Sequence, residues 1–336
     1  MASPARQPTA CSTPTPFAGR LAFFDPGFRF PQSLKLALGV DRRLPGGIVG
    51  TVDLLYTRLV HSVTAVDVNL TGRVGTAAGE GGRTLYGTID ETTGQATTDR
   101  VSDALRRGVF PLRNGGGDRS YSLTAQLDKH FSGNTELSAA YTYTEAKDRM
   151  SLVADVGGVN EGSTPVDGTL ERRALRTSIW ARPHKITVVG TADLPHGFQL
   201  GFTWIGMSGA PYTYVAQGDP NADGFLPDAG VSNDVVYVPR DADDITLADP
   251  AGFAPLDSVI RSERCLGRQR GRLIERDSCR DPWQNETTAR LSKLVRLADR
   301  RTVELSVDLF NLLNFVDGDW GLVRQTIGDV GNAVPL

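Results

Sequence analysis

The sequence is short of nearly every feature that marks a common functional class. In its 336 residues no apolar run approaches the roughly 18 to 20 residues that a membrane-crossing helix requires. Basic and acidic residues nearly cancel, 36 against 39, for a net charge of −3. No basic block stands out, which argues against a nucleic-acid partner. With 4 histidines and 3 cysteines, none at metal-ligand spacing, a zinc centre is excluded as a working idea. There is no phosphate-cradling Gly-rich loop ending in Lys and Ser/Thr, and no zinc-protease helix motif. Gly206-Met207-Ser208-Gly209 has only part of a nucleophile elbow. His61, His130, His184 and His196 lie far apart in the chain. The expectation is a protein that is not an enzyme. Met1 to Arg20, rich in Pro, Ala and Thr, lacks the apolar stretch of a secretory signal. Residues 1–20 are expected to be a disordered or non-native segment.

What the sequence does have is a period of two. Leu34, Leu36, Leu38 and Val40 alternate with Lys35, Ala37, Gly39 and Asp41, ahead of a Leu44-Pro45-Gly46-Gly47 turn and a partner strand through Val52, Leu54 and Tyr56. Three further hairpins read the same way. One joins Tyr121–Leu127 to Leu137–Tyr143, the next joins Ile186–Ala192 to Phe198–Trp204 through Pro195-His196-Gly197, and the last joins Leu291–Leu297 to Val303–Leu309 through a turn near 298–300. Lys293 interrupts the apolar face of its strand and makes that strand the weakest of the eight.

Connections within hairpins are short, and those between them are long: 58–120, 145–183 and 210–287. In a compact soluble domain such loops would argue against the assignment. In an outer-membrane barrel, with short turns on one side and long loops on the other, they are the rule. Strands of about ten residues suit a tilted bilayer crossing. Aromatic residues gather at strand ends (Tyr141, Tyr143, Phe198, Trp204, Tyr212, Phe310, Phe315), as interfacial girdles do. The fold class expected is all-β, an antiparallel up-and-down transmembrane β-barrel, in the cell outer membrane. Within that class a small barrel with catalytic groups at its rim is the one enzymatic rival. A soluble β-rich secreted protein is the remaining alternative.

Several stretches resemble the barrel of Oar-like TonB-dependent receptors: Phe23-Phe24-Asp25-Pro26-Gly27-Phe28, Gly218-Asp219-Pro220-Asn221-Ala222-Asp223-Gly224, Asp234-Val235-Val236-Tyr237-Val238-Pro239, and Arg276-Asp277-Ser278-Cys279-Arg280-Asp281-Pro282-Trp283. Asp308-Leu309-Phe310-Asn311-Leu312-Leu313-Asn314 is similar to the penultimate strand of such barrels. The resemblance implies a transporter for ligand uptake, with a barrel of about 22 strands, a plug and a TonB box engaging the TonB complex. No stretch before Phe23 reads as plug or TonB box, and Gly331 to Leu336 does not read as a closing strand. The expectation is a fragment, residues 21–336 supplying about eight to ten of those strands. Expressed alone it is expected neither to close nor to transport. The runner-up function is a passive or adhesin-like barrel whose long loops bind partners. Outer-membrane lipid and lipopolysaccharide are the other partners expected.

Asp219, Asn221, Asp223 and Gly224 reproduce the first half of a calcium loop. Gly230 stands where a bidentate Glu should be, and a solvated acidic loop is the competing reading; no other cofactor is implied. Asp228, Asp234, Asp241, Asp243 and Asp244 are further oxygen donors in the same loop. Cys265 and Cys279 are either two unrelated thiols or, in an exported protein, a disulfide closing the last long loop. The Arg-rich stretch Arg261–Arg280 is a candidate for anionic groups or simply a soluble loop. Lys35, Asp53, Gln126, Glu136, Lys185, Glu304 and Asp308 fall on the polar face, to line a path or to pair within a wet interior.

Overall fold

The computed structural model describes residues 19–154, 157–225, 231–247, 249–297, 301–324, 326 and 333–335. The expected N-terminal segment up to residue 18, the turn at 298–300, and Asp228 and Gly230 lie outside the described residues.

Eight long strands form one antiparallel meander: β1 (Gln32–Leu44), β2 (Ile48–Ala65), β3 (Arg119–Phe131), β4 (Thr135–Asp148), β5 (His184–Leu194), β6 (Phe198–Met207), β7 (Gln284–Arg296) and β8 (Thr302–Phe310). These are the four expected hairpins. Register keeps the apolar set on one face throughout. Leu38 pairs Leu54, Leu54 pairs Leu123 and Leu123 pairs Tyr143; farther along, Phe202 pairs Ala289 and Ala289 pairs Leu309. A slip of one residue would reverse every side chain in a strand. Among the described residues β1 and β8 do not pair with each other, so the sheet is open.

That face has no protein against it. Val40 is 67% exposed, Leu305 61% and Leu34 59%. The other face is polar. Gly39 pairs Asp53, Asp53 pairs Thr124, Thr124 pairs Thr142 and Thr142 pairs Lys185. The Thr124 and Thr142 hydroxyls are 2.9 Å apart, and Arg290 lies 3.6 Å from both Glu304 and Asp308. The ion pairs of Arg290 are exposed and contribute little each.

Lys293 does not break β7. It stays on the apolar face near the short-turn end, with its ammonium 4.5 Å from the Phe198 ring centre. An amphipathic stem reaching along apolar surface toward an interface explains why the strand tolerates it. The turns at Pro45–Gly47 and Pro195–Gly197 share one geometry, with φ of 77° at Gly46 and 65° at His196. Glycine takes that conformation freely, whereas histidine does so at a cost.

The long connections differ from the structureless loops expected. The first begins later, because β2 runs on to Ala65 after leaving β3 at Arg58. Its end pairs instead with the strand Val109–Gly115, Ser62 opposite Gly115. The resulting loops, 66–118, 149–183 and 208–283, fold into a layer of short strands and helices. Pro211–Gln217 pairs with Val231–Val235, Cys279–Arg280 and Ala333–Pro335, and a helix spans Phe253–Ser262. The largest core cluster of the described residues sits here: Tyr212, Val235, Val238, Ile260, Leu266 and Ile274. Tyr212, expected in an aromatic girdle, is 5% exposed and belongs to this core. Alternation alone cannot tell a girdle from a packed loop.

Candidate ligand site among the long loops

The loop layer is tied together by buried charge. Arg83 donates to the Val235 carbonyl at 2.8 Å and pairs with Asp234 at 3.4 Å and Glu80 at 2.5 Å. Arg276 reaches from the last loop to Asp148 at the end of β4, at 2.9 Å, and to the adjacent Asp277 at 3.1 Å. Arg173 pairs with Glu161 at 3.3 Å, and Arg100 with Asp67 at 3.6 Å. Burial costs such groups their hydration, so each is held by a partner. Where the partner falls short, the proton balance moves. Burial pushes the Glu161 carboxyl up to about 7 against the pull of Arg173, and Asp277 up to about 7 against Arg276.

The Arg-rich stretch contributes mainly to this internal bracing. Arg261 and Arg270 share Asp257, at 2.6 and 2.5 Å, and Arg280 donates to the Gly209 carbonyl at 3.0 Å. Cys265 and Cys279 are joined in a disulfide, with Cα atoms 5.2 Å apart and a sequence separation of 14. The bridge packs into the loop core, where Cys279 is fully buried.

Asp219, Asn221 and Asp223 are brought together, and they are not solvated: all three are buried. Their oxygens face inward because the loop's own amides supply donors. Asp219 accepts from the Asp223 and Gly224 amides at 3.0 and 2.8 Å, and Asp223 accepts from the Phe225 amide at 2.8 Å. Asn221 and Asn233 donate to Asp223 at 3.1 and 3.4 Å. Burial, followed by the charge of Asp223, pushes Asp219 up to about 7, and burial raises Asp223 as well. Among the described residues no three His, Cys, Asp or Glu side chains converge as a metal-ligand set. Asp244 is engaged elsewhere, by Arg240 at 2.6 Å and the Tyr237 hydroxyl at 2.8 Å.

Beside this loop lies a cavity of about 660 Å³, within the ordinary size of a small-molecule site. All three long loops contribute to its wall: Leu70, Arg100, Arg106 and Phe110 from the first, Glu161, Ser163 and Leu170 from the second, and Asp223 to Phe225 from the third. Arg20 completes the rim, its guanidinium 5.2 Å from the Phe225 ring centre. Apart from Asp223 and Gly224, the wall residues are not singled out by the sequence, since they come from four separated stretches with no shared motif. A second depression, on the apolar face over Gly50, Ala125 and Ala139, is walled by Val40, Leu127 and Ile186 and belongs to the exposed wall.

The polar-face residues do not converge on the cavity. Glu304 and Asp308 flank Arg290, Gln126 donates to Asp128 at 2.9 Å, and Glu136 meets His130 at 3.0 Å. Lys35, Asp53 and Lys185 have strand positions on that face.

An open meander, apolar on one face and polar on the other, with short turns at one end and a packed loop layer at the other, is a barrel wall in lipid. The sequence matches no curated protein. Among solved structures, it is similar to the outer membrane transporter YddB from Escherichia coli, at a TM-score of 0.49 and 12% identity over 88% of this chain. The match covers 31% of that chain, so this one spans under a third of its length. The family model for the outer membrane beta barrel domain matches residues 2–318, nearly the whole sequence, and the chain belongs to that family of the outer membrane.

Proposed function

We propose that this chain forms part of the barrel wall, together with the outer loops, of a TonB-dependent transporter that takes up a ligand from outside the cell. The observation that carries the reading is the loop layer. A passive barrel needs only enough loop to connect its strands, whereas here the third long loop builds a core of its own, the first and second share a smaller one, and all three line a cavity between them. Segments resembling Oar-like receptors fall in that layer, Gly218–Gly224 and Asp234–Pro239 among them. The apolar face meets outer-membrane lipid, and the outer rim meets lipopolysaccharide. The plug and the contact with the TonB complex belong to the same reading and rest on the family resemblance.

The test is solute depletion from the medium by cells that carry the gene in its native setting, compared with a deletion strain. Uptake coupled to the inner membrane should be lost on deletion, and a protonophore should cause the same loss in the intact strain. Depletion that survives the protonophore, or adhesion lost with no change in depletion, would replace the reading with a passive or adhesin-like barrel.

A further inference from the structure

We propose that the cavity among the long loops binds a small anionic compound with an apolar body, such as an aromatic phosphate or carboxylate. The inference rests on the uptake reading for its purpose, since it names the class of ligand that the loops would capture.

Three carboxylates line the cavity, and each is already engaged. Asp67 holds Arg100 at 3.6 Å and accepts from the amides of Asn69 and Val109 at 2.9 and 2.7 Å. Glu161 holds Arg173, and Asp223 is saturated by amide donors within its own loop. Three arginines of the rim are not engaged in this way. Among the described residues, Arg106 and Arg107 are exposed and have no ion pair or hydrogen bond, and Arg20 has no charged partner, only the face of the Phe225 ring. The surplus at the rim is therefore positive, and its planar guanidinium groups suit carboxylate or phosphate.

The second observation lies in the wall. Ser163 lines the cavity, and its hydroxyl is buried with no hydrogen-bond partner among the described residues. A buried hydroxyl left unpaired costs free energy, and native structures rarely keep one without use for it. A ligand oxygen entering from the rim would satisfy it. The rest of the lining supplies the apolar contact. Leu70, Phe110, Leu170 and Phe225 line the cavity, and Phe110 and Leu170 are fixed by their burial. An ion alone would leave the half-buried Leu70 and Phe225 against water, and an uncharged hydrocarbon would leave the arginines unmet.

Calorimetry on the full chain in detergent micelles tests this, with 1-naphthyl phosphate and 1-naphthoate as probes and 1-naphthol and inorganic phosphate as controls. Either charged naphthyl probe should bind about tenfold more tightly than both controls. Arg106→Gln with Arg107→Gln should weaken it about tenfold, and Ser163→Ala about threefold, at unchanged thermal stability. Preference for one charged probe over the other tells phosphate from carboxylate. The proposal is overturned if 1-naphthol binds as well as the charged probes, if no charged probe binds, or if both the arginine and the serine variants bind as the parent does. Binding without protonophore-sensitive depletion would remove the uptake reading and leave the site. Depletion with no binding here would remove the site and leave uptake.

Discussion

The wall and the loop layer of this protein obey opposite rules with the same amino acids. In the wall, leucine and valine face outward: Leu34, Leu36, Leu38 and Val40 are all exposed, as are Leu305, Val307 and Leu309. In the loop layer the same residue types are hidden. Leu170, Ile260, Leu266, Ile274, Val215, Val235 and Val238 are among the largest fully buried side chains, and none lies in β1 to β8. The difference is one of solvent. Lipid meets apolar side chains without penalty and forbids unpaired backbone, so the wall needs a complete hydrogen-bond ladder and no core. Water outside the membrane reverses both demands, and the loops must build a core of their own, braced by ion pairs and a disulfide.

Placing a charge on each face of one wall strand breaks the comparison most directly. Arg at Leu305, refolded into lipid vesicles, should cost about 2 to 4 kcal/mol if that position lies near mid-depth, and Arg at the neighbouring Ser306 far less. Ser306 sits on the polar face beside Arg290, with 3.1 Å between its hydroxyl and that guanidinium. Equal costs at the two positions would mean that the assignment of faces is wrong. Leu200 and Phe202 on β6 are expected to share the lipid side with Leu305 and Val307.

That contrast also explains what was legible in the sequence. A strand between lipid and a wet interior must alternate, so β1 and β2 announce themselves through Leu34–Val40 and Val52–Tyr56 without any partner being known. Even β7, interrupted by Lys293, kept its parity. The loop layer has no such period. Its order depends on pairs distant in sequence, such as Arg83 with Asp234, 151 residues apart, and Arg276 with the Asp148 carbonyl, 128 apart. Asp219, Asn221 and Asp223 read as a wet acidic loop because nothing local shows that backbone amides would cover their oxygens. The cavity was invisible for the same reason, with Arg20, Arg106, Ser163 and Phe225 brought together only by the folded layer.

The second test separates the regions by redox state. Closing a loop with a sequence separation of 14 should stabilise the loop layer by about 3 kcal/mol in the chain-entropy model. Reduction, or Cys265→Ser with Cys279→Ser, should therefore lower protease resistance in 208–283 and leave the hydrogen-exchange protection of the wall strands as it was. Peptide mass spectrometry without reductant should recover the cross-linked pair from exported protein. Free thiols at both positions, or collapse of wall and loops together, would show that the two regions do not fold by separate rules.

The last and smallest effect is in pH, and it should touch the loop layer alone. Glu161 and Asp277 ordinarily titrate at 4.5 and 3.8, and burial carries both to about 7 in the folded layer. Asp219 moves in the same direction. Between these values the folded state holds protons that the opened chain has released, so stability falls as pH rises through the window. The contribution is full below about pH 4 and gone above about pH 7. Opening of the loop layer, read by hydrogen exchange corrected for intrinsic rates, should therefore be at least about tenfold more frequent at pH 8 than at pH 5. Amides of the wall ladder should show no such slope. Glu161→Gln, which cannot titrate, should reduce the dependence, with Asp277 and Asp219 carrying the remainder, and slow exchange at pH 8. Stronger protection at pH 8 than at pH 5 would show instead that the ionised pair of Glu161 with Arg173 outweighs the cost of burying it. The loop layer would then be held by charge more than by its apolar core.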